Sequence, residues 1–220
     1  AARARAPPDR RVDRRGRRDD LRGHWLSRRG TTLASDKRDA FVRTAERLFD
    51  AEGFHATGIE RLVVEAGSGR RTLYKHFPSK HALVREVLRT RHARFTAHLD
   101  AATAAARAGG VTLALVDAHG RWNARHGARG CFMLRAMGEF AAHDDGVRRL
   151  AAETKHALLA RIEAALRADG VDDPAALARR VFLVLEGGNA AAAVLGAAAA
   201  AAEARAAVAA LLETTTPAPA

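Results

Sequence analysis

A chain of 220 residues that sets 37 Lys and Arg against 25 Asp and Glu has a formal net charge of +12, which suits a polyanionic partner. Its single cysteine, Cys131, excludes an intrachain disulfide framework, and its one extended apolar run, residues 190–202, is nearly all Ala and too short to cross a bilayer. The Arg-rich start lacks the continuous apolar segment of a signal peptide, so a cytoplasmic protein is expected.

Residues 1–30 carry eleven Arg and four Asp together with Pro7 and Pro8, and show almost no apolar periodicity. Residues 1–34 are therefore expected to form a disordered basic arm, either a non-specific phosphate tether or an extension without a role. Ser35 or Asp36 can cap a first helix over residues 37–51, with Phe41, Ala45, Leu48 and Phe49 as its inward stripe. Thr57 and Glu60 have the spacing of a capping box, in which the Thr hydroxyl accepts the Glu60 N–H and the carboxylate accepts the Thr57 N–H, so that a helix starts at Gly58. Ile59, Leu62, Val63 and Ala66 then form one apolar stripe, and Gly67 stands where a left-handed residue ends the helix. After Ser68 and Gly69 a second short helix turns Leu73 and Phe77 inward and crowds Arg70, Arg71, Thr72, Lys75 and His76 on its other surface. Two short helices joined by a tight Gly-containing turn make a unit for reading DNA.

Ser79 can cap a long helix over residues 80–107, whose stripe of Leu83, Val84, Val87 and Leu88, then Phe95 and Leu99, packs first on the DNA-reading unit and then enters a second domain. Further helices are expected over residues 111–125, 131–143, 147–168, 174–195 and 199–213, with Asp173 and Pro174 as the N-cap and first residue of the fourth of these. No run alternates with period two, so the fold class is all-α.

The run TLYKHFPSK, residues 72–80, resembles the T-L-Y-x-x-F-x-[SN]-K motif of the TetR family of bacterial transcriptional repressors. AERLFDAEGFHATGIERL, residues 45–62, resembles that family's first helix, its Gly-aromatic corner at Gly53 and Phe54, and the start of its second helix. The chain departs from the usual pattern at Gly58, where the family has Thr, at Ser68, where it has a small apolar residue, at Gly69, where it has Ser, and at Arg71, often Gly. The resemblance implies an N-terminal three-helix helix-turn-helix domain over residues 35–95, joined by the long helix to a C-terminal helical effector-binding and dimerisation domain over residues 96–213, with 214–220 a disordered tail. It implies that Tyr74 and Lys80 clamp the phosphate backbone. Base reading falls to Arg70, Arg71, Thr72 and Lys75, because Arg bonds guanine bidentately and Thr meets a thymine methyl. His76 touches phosphate or nothing, and Thr57 and Gly58 at the start of the second helix complete the expected DNA-facing set.

By the same resemblance the partners are double-stranded operator DNA with pseudo-palindromic half-sites, a second copy of the chain bound through a four-helix bundle of the last two helices, and a small apolar or amphipathic effector that releases the DNA. Phe95, Leu99, Trp122, Phe132, Met133, Met137, Phe140 and Phe182 are the large residues available to line an effector pocket, with Trp122, His126, Glu139, Glu186 and Asn189 as polar handles. The same residues at helical spacing also suit an ordinary core. No G-x-S-x-G, Walker loop, H-E-x-x-H or Cys/His cluster is present, so no catalytic site, cofactor or metal is expected. The competing reading is an effector-independent architectural DNA-binding protein, which would have no use for the roughly 120 residues that follow the long helix.

Overall fold

The computed structural model describes the backbone of residues 21–127, 129–140 and 142–214, and side chains from residue 36 onward. Among the described residues there are nine helices and no strand: α1 (Leu21–Glu52), α2 (Ile59–Glu65), α3 (Arg70–His76), α4 (Lys80–Ala104), α5 (Val111–His126), α6 (Phe132–Phe140), α7 (Asp145–Ala168), α8 (Pro174–Leu195) and α9 (Ala197–Glu213). The all-α class read from the sequence is the class observed. The expected disorder of residues 1–20 and of the tail from 215 onward lies outside the described residues. Residues 21–34 of the expected arm are helical instead, because α1 starts at Leu21 rather than near Lys37. No proline stands between Pro8 and Pro78 to stop the helix, and Ser35 and Asp36 cost a helix interior only tenths of a kcal/mol, about 0.5 each.

The described residues divide between Ala40 and Phe41 into two units, and the rest of the description concerns the second. It holds two apolar cores. The first gathers Phe41, Phe49 and Phe54 with Leu62, Leu73 and Phe77, and the start of α4 through Leu83, Val84, Val87 and Leu88. Phe132, Ala136 and Phe140 of α6 and Val147 and Ala151 of α7 belong to the same core. The second joins Leu99 to α5, the rest of α7, α8 and α9 through Leu115, Ile162, Leu166, Val181, Leu185 and Val208. So α4 passes from one core to the other between Leu88 and Phe95, while α6 returns the chain to the first core.

Local chemistry accounts for several helix ends. The Ser79 hydroxyl accepts the Ala82 N–H at 3.1 Å, Asp144 accepts Val147 N–H at 3.0 Å, and Asp173, followed by Pro174, accepts Ala176 N–H at 3.0 Å. Gly110 has no side chain with which to cap α5; Asp169, at the end of α7, reaches across and accepts the N–H groups of Val111 at 2.9 Å and Thr112 at 2.7 Å. The Ala-rich α9 packs on both α5 and α8, and each of these two helices presents a glycine to it. A Cβ at Gly120 would lie 3.1 Å from the Ala201 Cβ, and one at Gly188 would lie 3.2 Å from the Ala204 Cβ.

Candidate DNA-reading helices and a cavity behind them

The corner before α2 is built on Gly53, whose φ of +97° favours a residue without a side chain. The expected capping box does not form. Thr57 is fully buried and its hydroxyl donates to the Gly53 carbonyl at 2.8 Å, which satisfies an acceptor left over at the end of α1. The N-cap therefore moves to Gly58, which makes Glu60 the second helical residue instead of the third, and its exposed carboxylate pairs with Arg70. At the other end of α2, Gly67 has φ +59°, with Gly67 N–H on Val64 O at 3.0 Å and Ser68 N–H on Val63 O at 2.9 Å, a Schellman closure. The Ser68 hydroxyl, where the family pattern has an apolar residue, is buried without a hydrogen-bond partner.

Burial of Leu73 and Phe77 fixes which way α3 faces. Arg71, Tyr74 and Lys75, at i, i+3 and i+4, are exposed on its opposite side, and Arg70 lies at its start. Thr72 is half-buried. His76 is half-buried too, its ring 6.4 Å from that of Phe41. Lys80 donates to the His55 carbonyl at 3.2 Å, and burial pushes its ammonium pKa below the ordinary lysine value. The structure thus gathers Arg70, Arg71, Tyr74 and Lys75 on one outward surface, turns Thr57 into the core, and ties Lys80 to the Gly53 corner.

Behind this unit lies a cavity of about 60 Å³, taken over the positions open to the centre of a water-sized sphere. Of the expected pocket residues, Phe95, Trp122, Phe132, Met133 and Asn189 line it, as does His126. Leu99, Met137, Phe140 and Phe182 do not line it: Leu99 and Phe182 belong to the second core, Met137 and Phe140 to the first. These four are at helical positions that fit a pocket wall and a core equally, and tertiary packing chose the core. Glu186 meets the cavity through Lys155, one of its lining residues. Glu139 does not line it and instead holds the Gly53 corner.

The polar side of the cavity is one continuous hydrogen-bond chain. Lys155 donates to Cys131 Sγ at 3.1 Å and to both Glu186 oxygens at 2.7 and 2.8 Å. Asn189 donates to Glu186, and the Asn123 amide donates to Asn189 and to His119 Nδ1. His119 is 4% exposed, and its pKa is depressed to about 3, first by burial and then by the Lys155 charge. The ring is therefore neutral at pH 7, with its proton on Nε2. On the other flank Arg91, itself buried, pairs with Glu46 at 3.2 Å, donates to the His126 carbonyl at 2.5 Å and lies 4.2 Å from the centre of the Phe132 ring. Sequence reasoning missed Arg91, His119, Asn123 and Lys155. The i, i+4 pair His119 and Asn123 and the i, i+3 pair Glu186 and Asn189 were its available signals.

Helix α6 links the cavity to the DNA-reading unit. Phe132 at its start lines the cavity, with its ring 4.8 Å from that of Phe54. At its end Glu139 accepts the N–H groups of Phe54 at 3.2 Å and His55 at 2.8 Å, and its carbonyl bonds the His55 ring at 2.7 Å. Between them Arg135 donates to Phe49 O at 3.2 Å and pairs with Asp50 at 3.2 Å. Among the described residues no group of three or more His, Cys, Asp or Glu could hold a metal ion, and no helix is long and apolar enough to cross a membrane.

Residues 41–87, the stretch that holds the corner and both short helices, match the family of bacterial regulatory proteins, tetR family. The HTH-type transcriptional regulator YxaF of Bacillus subtilis is 42% identical over 48 residues, 22% of this chain and 25% of YxaF. LmrA of the same organism, also an HTH-type transcriptional regulator, is 37% identical over 43 residues, 20% of this chain and 23% of LmrA. The alignments thus span about a quarter of these curated relatives. Over the whole fold, SCO4454, a TetR-family transcriptional regulator from Streptomyces coelicolor, superposes with a TM-score of 0.76 at 28% identity, covering 82% of this chain and 96% of that one. The reduced form of NemR from Escherichia coli shares the fold at a TM-score of 0.68 and 18% identity, covering 79% and 95%. Residues 41–87 are thus a reading unit of the tetR family of bacterial regulatory proteins, and the course of helices through both cores is similar to that of TetR-family transcriptional regulators.

Proposed function

We propose that this chain binds a pseudo-palindromic operator as a homodimer and represses transcription until a small molecule enters the cavity and loosens the DNA, acting on nucleoid DNA in the bacterial cytoplasm. The observation that carries the reading is the pairing of an outward surface, Arg70, Arg71, Tyr74 and Lys75, with a cavity whose wall helix α6 is bonded to the corner before α2. Phosphate contacts from Tyr74 and Lys80 and base contacts from Arg71 and Lys75 are the assigned roles; Arg70, Thr72 and His76 support them. Gly58, at the α2 N-cap, lets a phosphate approach the backbone closely, and Thr57 acts from within by holding the corner. Leu183, Val194 and Leu195 on α8 are 68%, 85% and 55% exposed in the single chain, which favours α8 and α9 as the dimer surface. Release requires that the ligand prefer a state in which α6 and α4 hold the reading helices differently, and it weakens DNA binding only by that preference, typically about 1–3 kcal/mol.

The test begins with selection of bound DNA from a random pool, followed by footprinting and light scattering. A dyad-symmetric site about one helical turn between half-site centres, bound by a dimer, is the expected result. A stable monomer, or a protected site without dyad symmetry, removes the homodimeric part. A metabolite panel that shifts neither melting temperature nor operator affinity replaces the switch with the architectural reading.

A further inference from the structure

The cavity wall says what kind of molecule fits. An ammonium group has three donors, and all three of Lys155 are used, two on Glu186 and one on Cys131. Arg91 is committed to Glu46 and to the His126 carbonyl. Each charge facing the cavity is therefore balanced by a partner in the protein. An anionic ligand would have to take Lys155 from Glu186 and leave a carboxylate stranded with 14% of its side chain exposed; a cationic ligand would have to displace Lys155 itself. Either exchange leaves a poorly hydrated charge without its partner.

One donor remains. Because the Asn123 amide donates to His119 Nδ1, the proton of this neutral ring sits on Nε2, and that N–H has no hydrogen-bond partner among the described residues. Its ring stands edge-on to Phe95 at 5.9 Å, and Phe95 packs on Trp122 at 5.4 Å, so the donor stands in an aromatic wall. Size narrows the choice further. Space of 60 Å³ for the centre of a water-sized sphere corresponds to about four to six waters, roughly 120–180 Å³ of liquid, which is one aromatic ring with a short substituent.

We infer that the cavity takes a small, uncharged, single-ring aromatic molecule with one hydrogen-bond acceptor, of the aryl ketone class, whose acceptor meets His119 Nε2 and whose ring lies among Phe95, Trp122 and Phe132. This specifies the ligand class for the switch proposed above and rests on that reading only for its effect on DNA.

Calorimetry with the full chain and four probes of matched size tests it: acetophenone, ethylbenzene, benzoate and benzylamine. Acetophenone should bind about five- to tenfold more tightly than ethylbenzene, which lacks the acceptor, and about tenfold or more tightly than either ion. His119→Phe, which keeps a flat ring and removes the donor, should bring acetophenone to within about twofold of ethylbenzene. The ranking of the four probes on the unaltered chain stands even where the variant fails to fold. Benzoate or benzylamine equal to or better than acetophenone, ethylbenzene equal to acetophenone, or heat from none of the four overturns the assignment. The same probes added to an operator complex separate the two claims. Acetophenone that binds without loosening DNA leaves the ligand class standing and removes the switch, whereas an ion that binds best removes the ligand class whatever it does to the DNA.

Discussion

Glu139 is the residue through which the end of α6 grips the corner before α2, so Glu139→Ala tests both stability and coupling. The carboxylate accepts two backbone N–H groups, Phe54 at 3.2 Å and His55 at 2.8 Å. Hydrogen bonds to a charged group contribute about 1.5–3 kcal/mol each when shielded from water. The His55 bond is exposed and the Phe54 bond is only partly buried, which reduces the sum to about 1–3 kcal/mol for the pair. For a chain of this size that is a fall in melting temperature of about 2–12 °C. Glu139→Gln keeps one acceptor and should lose about half as much. Cavity binding should persist in both variants, because Glu139 does not line the cavity. The effect of a bound ligand on operator affinity should shrink in Glu139→Ala, because one of the bonded links from α6 is gone. Differential scanning fluorimetry reads the first quantity and an anisotropy titration of operator DNA with and without ligand reads the second. An unchanged melting temperature would show that water replaces the carboxylate at no cost, and undiminished release would assign the coupling to Arg135 and Phe132 of α6 or to α4.

Arg71→Ala should cost about 1–3 kcal/mol of operator binding and relax preference at one base position, whereas Lys80→Ala should weaken all sequences alike and lower the salt slope by about one; equal, sequence-independent losses would reduce Arg71 to a phosphate contact. His119 titrates near 3 in the fold against 6.5 in the unfolded chain, so the unfolded chain binds the extra proton and stability is lost as pH falls below about 6.5, by up to about 1.4 kcal/mol per pH unit. His92 and His126, both depressed chiefly by burial, act in the same direction, so His119→Phe should flatten only part of the loss between pH 7 and pH 5 in urea titrations. Gly127→Ala should cost about 1–3 kcal/mol, because its Cβ would stand 2.9 Å from the Asn123 carbonyl; a neutral melting temperature would mean that the end of α5 yields freely.

What the sequence made legible was local. The stripe Ile59, Leu62, Val63 and Ala66 and the glycine at 67 define α2 without help from the rest of the chain, and Asp173 with Pro174 sets the start of α8 to the residue. The Thr57 hydroxyl escaped because a capping box and a bond to the Gly53 carbonyl are both local options for the same atom, and only the path of the corner decides between them. The cavity escaped more completely. Its polar chain joins Lys155 to Cys131 and Glu186 across sequence separations of 24 and 31, and periodicity carries no information about partners at that distance. Periodicity also cannot say which end of a buried helix face borders a cavity, which is why Phe132 and Phe140, eight residues apart on α6 and in one core, were expected in one pocket and only Phe132 lines it.

The division of the cavity wall into a closed polar chain and an aromatic remainder bears on how such a protein can change its diet. A substitution at Phe95, Trp122 or Leu158 alters volume and shape and leaves the hydrogen-bond chain intact. A substitution anywhere along His119, Asn123, Asn189, Glu186 and Lys155 strands a neighbour in poorly hydrated surroundings and taxes the whole fold. New ligands of similar polarity are therefore reachable one residue at a time, by resculpting the aromatic side, while a change to charged ligands needs at least two coordinated replacements. Descendants of this sequence should drift in the size and outline of what they recognise long before they drift in its charge.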